Sequence, residues 1–124
     1  MTTPHRELSI RIMAMPKDAN ADGDIFGGWV LSIMDLAGGI VARKIARNRV
    51  VTVAVKDMEF HKPVMVGDVI AAYANLERIG TTSITFKVEL HVEHSRTGQE
   101  EKVTEGTFVY VAVDKDRKPV KVKG

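Results

Sequence analysis

The chain has 124 residues and contains no cysteine. This absence excludes a disulfide framework, a thiolate nucleophile and a zinc–thiolate site. Apolar runs of membrane-spanning length are also missing, and the first residues lack the basic start, apolar core and cleavage site of a signal peptide. We therefore expect a protein of the cytoplasm that has no membrane partner.

A strong excess of charge of either sign is missing as well. The formal net charge is only +2, and basic residues gather at 43–49 and 115–123. This balance is too weak to favour nucleic acid as a partner, and it suits a small molecule that carries phosphate equally well. With 44% apolar and 27% charged residues, the composition is that of a globular protein. We expect one domain over residues 7–118 and a basic C-terminal tail at 119–124.

The hydrophobic pattern predicts one long helix among strands. Residues 8–14 alternate as a short strand that Pro16 ends, and from Gly27 to about Arg47 apolar residues occupy nearly every side of a helix. The basic residues near the end of this helix suit its dipole, so we expect them to form a solvated cap. Four further strands are predicted at 50–60, 69–76, 84–92 and 103–113.

This order of elements indicates an α+β class. Four successive strands, expected to be linked by hairpins, form an antiparallel sheet, and a helix that is apolar on all sides is covered only if that sheet curls around it. The pattern agrees with the hotdog fold, a curved antiparallel sheet wrapped around one central helix. Residues 69–76 are apolar on both faces and belong in the middle of the sheet, whereas 84–92 has one wet face. Because one sheet covers only one side of the helix, we expect a dimer at least.

The loop that opens into this helix has the features of a site. Residues 20–24 are mostly polar, and Gly27 and Gly28 fall where the helix begins. Glycines leave the first amides of a helix unshielded, and such amides bind negative charge or a polarised carbonyl oxygen. Asp35 is the only acid in the first turns of an otherwise apolar run. A buried carboxylate finds donors or shifts its pKa, so Asp35 is a candidate for chemistry.

A structural interpretation of the same helix stays open. Small residues recur on one strip of it with Asp35, and they either let another backbone approach or mark tight helix packing. The strip consists of Ser32, Asp35, Gly39 and Ala42, and Gly38 lies beside it. Asp35 itself could be a helix acid that neighbouring amides cap at the seam of a dimer.

Several blocks of the sequence, in the same order, resemble the YciA-like acyl-coenzyme A thioesterases of the hotdog superfamily. The resemblance extends from about residue 9 to residue 113. The blocks are Ala14-Met15-Pro16, the segment from Asn20 through Gly27-Gly28-Trp29, Met34-Asp35, Phe60-His61-Lys62-Pro63, Val66-Gly67-Asp68 and the segment from Phe108 to Asp114.

The resemblance implies hydrolysis of the thioester of acyl-coenzyme A, without a metal or redox cofactor, in a homo-oligomer that is typically a trimer of hotdog dimers. The family's helix carboxylate falls on Asp35 and its loop asparagine on Asn20, and opposite subunits supply them. The amide that receives the thioester oxygen falls on Gly27 or Gly28. Without the family, the same chemistry is plausible, because preorganised amides stabilise a developing oxyanion. The carboxylate could act as a general base or as a nucleophile through an anhydride.

Contacts to coenzyme A are implied near the Lys62 turn and at a hairpin. The hairpin residues are Gly80, Thr81, Thr82 and Ser83. Relatives often carry an arginine where this chain has Thr81. Arg78, just before the hairpin, and the basic helix end at Arg43 and Lys44 add positive charge that, together with Lys62, could face the phosphates of the nucleotide.

Two other functions remain open. A hotdog dehydratase usually needs a histidine with an acid in the central helix, and none of the four histidines lies there. We expect His5, His91 and His94 to be solvated, whereas the role of His61, next to Lys62, is open. A module that binds acyl-coenzyme A without hydrolysing it is the second alternative, since fold alone does not determine function.

Overall fold

The structure is a computed structural model, and it describes residues 6–94 and 96–122, so His5 lies outside the described residues. The predicted α+β class is confirmed. In the described part of the chain, no helix combines the length and the hydropathy that crossing a membrane requires. The elements in chain order are strand β1 (Arg6–Met13), a 3-10 turn (Pro16–Asp18), helix α1 (Gly27–Ala46) and strands β2 (Arg49–Phe60), β3 (Val69–Ile79), β4 (Ser83–Glu93) and β5 (Glu100–Val113).

The five strands form one antiparallel sheet in the order β1-β3-β4-β5-β2. The predicted central place of the strand at 69–76 is confirmed, because β3 lies between β1 and β4. The prediction that hairpins link all four strands after the helix is wrong for the first pair. β2 lies at one edge, beside β5, and residues 61–68 carry the chain across to β3.

This crossover replaces a hairpin because its backbone is bonded to other elements along its length. His61 N donates to Val103 O of β5 (2.8 Å) at its start, and Gly67 N donates to the carbonyl of Ala14, after β1 (2.8 Å), near its end. Between them, Val64 is buried and its carbonyl accepts a bond from Ile25 N (2.9 Å). The crossover therefore closes the end of the core beside the start of the helix.

The helix packs on one face of the sheet and forms the core with it. Along β4 the even-numbered side chains are buried and the odd-numbered ones are partly exposed, which confirms the predicted alternation. Met34 and Val41 of the helix are fully buried, but Leu36 and Ile40 are 56% and 46% exposed. The helix is thus apolar on all sides and covered on one, and its exposed side is the surface that the expected second copy would cover.

One aromatic side chain of the sheet fixes the approach of the helix. A Cβ built on Gly38 would lie 2.9 Å from Cε2 of Tyr110, whereas one on Gly39 would lie 3.6 Å from Cε1. Tyr110 is 1% exposed, and its hydroxyl donates to the carbonyl oxygen of Asp35 (2.7 Å). The packing interpretation of the small residues is therefore confirmed for Gly38, which receives a side chain of its own protein.

Candidate active site

Asp35 lies in the middle of α1, on the side that meets β2. It is half-buried, and Thr52 Oγ1 of β2 donates a hydrogen bond to its Oδ1 (2.7 Å). The register of β2 against β5 shifts between Thr52 and Ala54. The second carboxylate oxygen, Oδ2, accepts no hydrogen bond of good geometry from the described residues, and the Tyr110 hydroxyl, which also lies close to the carboxylate, donates to the backbone carbonyl of Asp35. The carboxylate is thus held through one oxygen and retains the other for a ligand.

Tyr110 supports the peptide of the same residue. Burial raises the pKa of the Tyr110 hydroxyl, and the charge of the neighbouring Asp35 raises that pKa further. The hydroxyl therefore keeps its proton and its bond to the Asp35 carbonyl (2.7 Å) at neutral pH. This bond fixes the backbone from which the carboxylate projects.

The start of the helix exposes its first amides. Phe26 precedes the helix without a side-chain cap, and its carbonyl accepts bonds from Trp29 N (3.0 Å) and Val30 N (3.2 Å). Neither Gly27 N nor Gly28 N donates to a backbone carbonyl in residues 6–94 and 96–122. A Cβ built on Gly28 would meet nothing within 4 Å. The structure thus provides the unshielded amides that the glycine pair predicts.

A cleft of about 300 Å³ lies beside this helix start. Its walls include Gly27 and, from β2 and the crossover, Phe60, Lys62 and Val64. Thr104 of β5 also lines it, and Thr104 Oγ1 is the one buried side-chain polar atom without a hydrogen-bond partner in the described part of the chain. A larger cleft of about 500 Å³ lies at the C-terminal end of β4, and none of the predicted site residues lines it. The smaller cleft is therefore the one that concerns the site.

Asn20 organises the loop before the helix. Its side-chain Oδ1 accepts hydrogen bonds from the backbone amides of Asp22 (2.9 Å) and Asp24 (3.1 Å), and its backbone N–H donates to Asp24 O (2.7 Å). No hydrogen bond in the described residues joins Asn20 to Asp35. One chain thus leaves the side-chain NH₂ of Asn20 without a bonded acceptor among these residues, and it does not connect the two predicted catalytic groups.

The predicted contacts for coenzyme A lie at opposite ends of the sheet. Lys62 follows the end of β2, whereas the hairpin from Gly80 to Ser83 follows the end of β3, a strand of 11 residues. Lys62 N donates to Val103 O, which lies opposite the His91 end of β4, so roughly 26 Å of that strand, at about 3.3 Å per residue, separates Lys62 from Ser83. One chain therefore does not bring the two regions together.

The hairpin is hydrogen-bonded to β5 and to the segment that follows it. Ala112 N of β5 donates to Thr82 O (2.9 Å), and Val122 N donates to Thr81 O (2.9 Å).

The two predicted cations differ in their partners. Lys62 is paired with Glu101, and Lys62 is the main cause that lowers the pKa of that carboxyl. Arg78 is exposed and forms no ion pair within the described ranges. Of the two cations, Arg78 is the one already free to meet a phosphate.

The structure contradicts the expectation for one histidine and shows the partner of another whose role was open. His91 was expected to be solvated, but its side chain is only 13% exposed, because Tyr73 packs edge-on at 5.1 Å and Glu89 lies 3.0 Å away. His61 joins an ion cluster with Glu105 (2.8 Å). Lys87 and His61 hold the pKa of Glu105 at about 2. Neither histidine is hydrogen-bonded to Asp35.

Sequence reasoning missed Thr52 and Tyr110. Thr52 is one of several polar residues in an alternating strand, and only the register shift of β2 distinguishes it. Tyr110 could have been found, because it shares the inward face of β5 with Phe108 and Ala112, and a buried tyrosine hydroxyl needs an acceptor.

Comparison with known proteins gives the family. Residues 22–99 match the family model described as the thioesterase superfamily. The acyl-CoA thioester hydrolase YciA of Salmonella typhimurium is 52% identical over 120 residues, which cover 94% of this chain and 90% of that protein. A hexameric thioesterase from Yersinia pestis has a TM-score of 0.91 and 48% identity, over 99% of this chain and 100% of that one. The chain belongs to the thioesterase superfamily, within the group of YciA-like acyl-CoA thioester hydrolases.

A more distant structure carries ligands. An acyl-CoA hydrolase from Staphylococcus aureus, solved with butyryl-coenzyme A and coenzyme A, is 26% identical with a TM-score of 0.88, over 96% of this chain and 72% of that one. Three further structures of that hydrolase each carry one substitution by alanine, of an asparagine, an aspartate or a threonine. The family and hotdog fold expected from the sequence blocks are thereby confirmed.

Proposed function

We propose that the protein hydrolyses acyl-coenzyme A to a free carboxylic acid and coenzyme A, at sites shared between two copies of the chain. The observation that carries the proposal is the carboxylate of Asp35, which Thr52 holds through one oxygen (2.7 Å), on a helix whose first amides are unshielded. We further propose that the protein acts in the cytoplasm, on the thioesters of lipid metabolism, because coenzyme A is the carrier of acyl groups there.

The spacing of the three polar residues supports this assignment. In the Staphylococcus aureus hydrolase, the altered asparagine, aspartate and threonine are separated by 15 and 17 residues. Asn20, Asp35 and Thr52 have the same two separations. Thr52 is therefore included in the proposed site as the residue that positions Asp35.

The amides of Gly27 and Gly28 are proposed to donate to the thioester oxygen. That oxygen gains negative charge as a nucleophile adds to the carbonyl carbon, and amides already in place stabilise the charge without rearrangement. The absence of a Cβ at Gly28 leaves the approach open within the chain. The acyl chain would then extend into the cleft beside Gly27.

Asp35 is proposed to activate the attack through Oδ2. As a general base it takes a proton from water, the resulting hydroxide adds to the carbonyl carbon, and the tetrahedral intermediate expels the coenzyme A thiolate. As a nucleophile it adds to the carbonyl carbon and the C–S bond breaks, releasing the coenzyme A thiolate and leaving a mixed anhydride that water cleaves to the free acid and the regenerated carboxylate. The bond from Thr52 to Oδ1 serves both routes, because it orients the carboxylate without occupying the second oxygen.

Asn20 is proposed to act from the second copy. Its Oδ1 is engaged in its own loop, so its side-chain NH₂ is the group that can donate to the substrate or to water. The exposed helix residues Leu36 and Ile40 give the two copies an apolar surface on which to pair. A trimer of such dimers agrees with the hexameric relative. Coenzyme A is proposed to contact Arg78, Lys62 and the hairpin residues Gly80 to Ser83. Lys62 would leave its ion pair with Glu101 and bind a phosphate group instead.

Replacement of the carboxylate tests the proposal. Asp35→Ala should reduce thiol release from acetyl- and palmitoyl-coenzyme A by more than about 100-fold, since the acid acts in the transition state. Its oligomeric state and melting temperature should stay close to those of the wild type. The control Asp116→Ala, which removes an exposed acid from a turn, should keep full activity. Near-normal turnover by Asp35→Ala contradicts the mechanism, and a wild type that binds acyl-coenzyme A without releasing thiol supports a sensing module instead.

Mixed oligomers test the sharing of the site. Asn20→Ala and Asp35→Ala chains, unfolded together and refolded, should regain part of the activity, because a mixed dimer contains one site with both residues intact. Mixtures shown to be heterodimers yet wholly inactive would place the site within one chain.

A further inference from the structure

The end of α1 and the start of β2 gather positive charge around one cleft. The cleft has a volume of about 420 Å³ and lies at the opposite end of the helix from Gly27. Three of its lining residues are arginines and a fourth is a lysine. The lining consists of Arg43, Arg47, Asn48, Arg49, Asp114 and Lys115. We call it the arginine cleft.

The cations of the arginine cleft lack the carboxylate partners that Lys44, Lys87 and Lys102 have. None of its four forms an ion pair with a carboxylate in residues 6–94 and 96–122. The neighbouring Lys44, by contrast, is bound to Glu7 (2.6 Å). On the outer face of the sheet, Lys87 and Lys102 both reach Glu105. The solvated cap expected from the sequence therefore divides into one paired lysine and a set of unpaired arginines.

The one acid of the arginine cleft is already engaged. Asp114 Oδ1 accepts hydrogen bonds from the amides of Asp116 (2.8 Å) and Lys118 (3.0 Å), which form the turn after β5. Like charges gathered around a concave surface repel one another and concentrate anions there. Three guanidinium groups also have the planar fork of donors that binds phosphate oxygens in pairs.

We propose that the arginine cleft binds the phosphate groups of a nucleotide. The position of the arginine cleft limits which molecules could supply these phosphate groups. Arg49 pairs with Val113 and Ser83 pairs with Val111, so the arginine cleft and the predicted coenzyme A hairpin share one end of the sheet. The nucleotide end of coenzyme A, presented by the substrate of the proposed function, is one source, and a free nucleotide is the other. The assignment to coenzyme A depends on the proposed function, whereas the phosphate site itself does not.

A thermal-shift experiment tests the phosphate site without reference to hydrolysis. Millimolar inorganic diphosphate at low salt should raise the melting temperature of the wild type by several degrees, because a ligand that binds only the folded state stabilises it. The double variant Arg43→Gln with Arg49→Gln should lose most of that shift. Without diphosphate, this variant should melt close to the wild type, since the relief of like-charge repulsion offsets the loss of a favourable charge at the end of the helix. The single variant Arg49→Gln gives an intermediate shift, and it serves if the double variant fails to fold.

A matched control removes two exposed cations elsewhere. Lys17→Gln with Arg96→Gln makes the same change of net charge outside the arginine cleft, and it should retain the full diphosphate shift. Equal shifts in the wild type, the arginine-cleft variant and this control would overturn the proposal, because the anion would then act through net charge alone.

Kinetics then distinguishes the two sources. If coenzyme A fills the arginine cleft, the ratio of KM for acyl-coenzyme A to KM for the matching acyl-pantetheine thioester should rise about fivefold in the Arg43→Gln, Arg49→Gln variant. An unchanged ratio, together with a lost diphosphate shift, assigns the arginine cleft to a free nucleotide. A wild type that hydrolyses neither thioester would overturn the proposed function and leave the thermal shift to decide the phosphate site.

Discussion

Two pairs of glycines in the same helix differ in the space around one member of each pair. At the start of α1, a Cβ on Gly28 would meet nothing within 4 Å, whereas in its middle a Cβ on Gly38 would collide with the ring of Tyr110. Gly28 leaves room for a ligand, and Gly38 makes room for a side chain of the protein itself. An identical dipeptide thus marks the proposed catalytic amides in one place and the closest packing of the helix in the other.

The largest effect is expected where space is missing. Gly38→Ala should lower the free energy of unfolding by about 3 kcal/mol, because Tyr110 is fully buried and cannot move aside. Chemical denaturation of the purified variant measures the loss. Adding Tyr110→Phe should restore part of it, since the hydroxyl is the group nearest the new methyl. A Gly38→Ala protein as stable as the wild type would remove the distinction between the two pairs.

A smaller effect, on catalysis alone, is expected at the helix start. Gly28→Ala should reduce kcat/KM for acyl-coenzyme A about tenfold, or about 1.4 kcal/mol of transition-state stabilisation, because a methyl would hinder the approach of the thioester oxygen. The unfolding free energy should change little. Activity and denaturation are measured on the same preparation, and a variant that loses stability but keeps kcat/KM would mean that Gly28 serves packing.

The smallest effect separates the two members of the second pair. Gly39→Ala should leave the protein unchanged or stabilise it by less than about 1 kcal/mol, because alanine favours the helix and its Cβ would lie at an ordinary 3.6 Å from Tyr110. Its melting temperature, compared with that of Gly38→Ala, makes the test. A large loss at both positions would show that the whole strip, rather than Gly38, is closely packed.

The elements of the fold were predictable because each carries its own periodicity, but their order in the sheet was not. Alternation in residues 50–60 indicates a strand without indicating its neighbour. β2 pairs with β5 because the crossover is bonded to Val103 on one side and Ala14 on the other, and neither bond leaves a local signal. The predicted bounds of β3 and β5 were also about three residues too short.

The candidate site was predictable as far as residue type decides it. Asp35 stands out as an acid in an apolar helix, and the glycine pair before it is evident in the sequence. Thr52 is not, because a register shift in β2 distinguishes it from other threonines. The arginine cleft shows the same limit, since Lys44 finds its partner Glu7 at a separation of 37 residues, and only that contact distinguishes it from the arginines around it.

The order of the strands also governs how the chain folds as it is synthesised. β1 and α1 leave the ribosome before the strands that cover them, and β2 must wait for β5, the last strand. Tyr110, which fixes the helix on the sheet, follows Asp35 by 75 residues. The apolar helix is therefore without its core during most of translation, and the nascent chain has to be kept from aggregating until its final strand emerges.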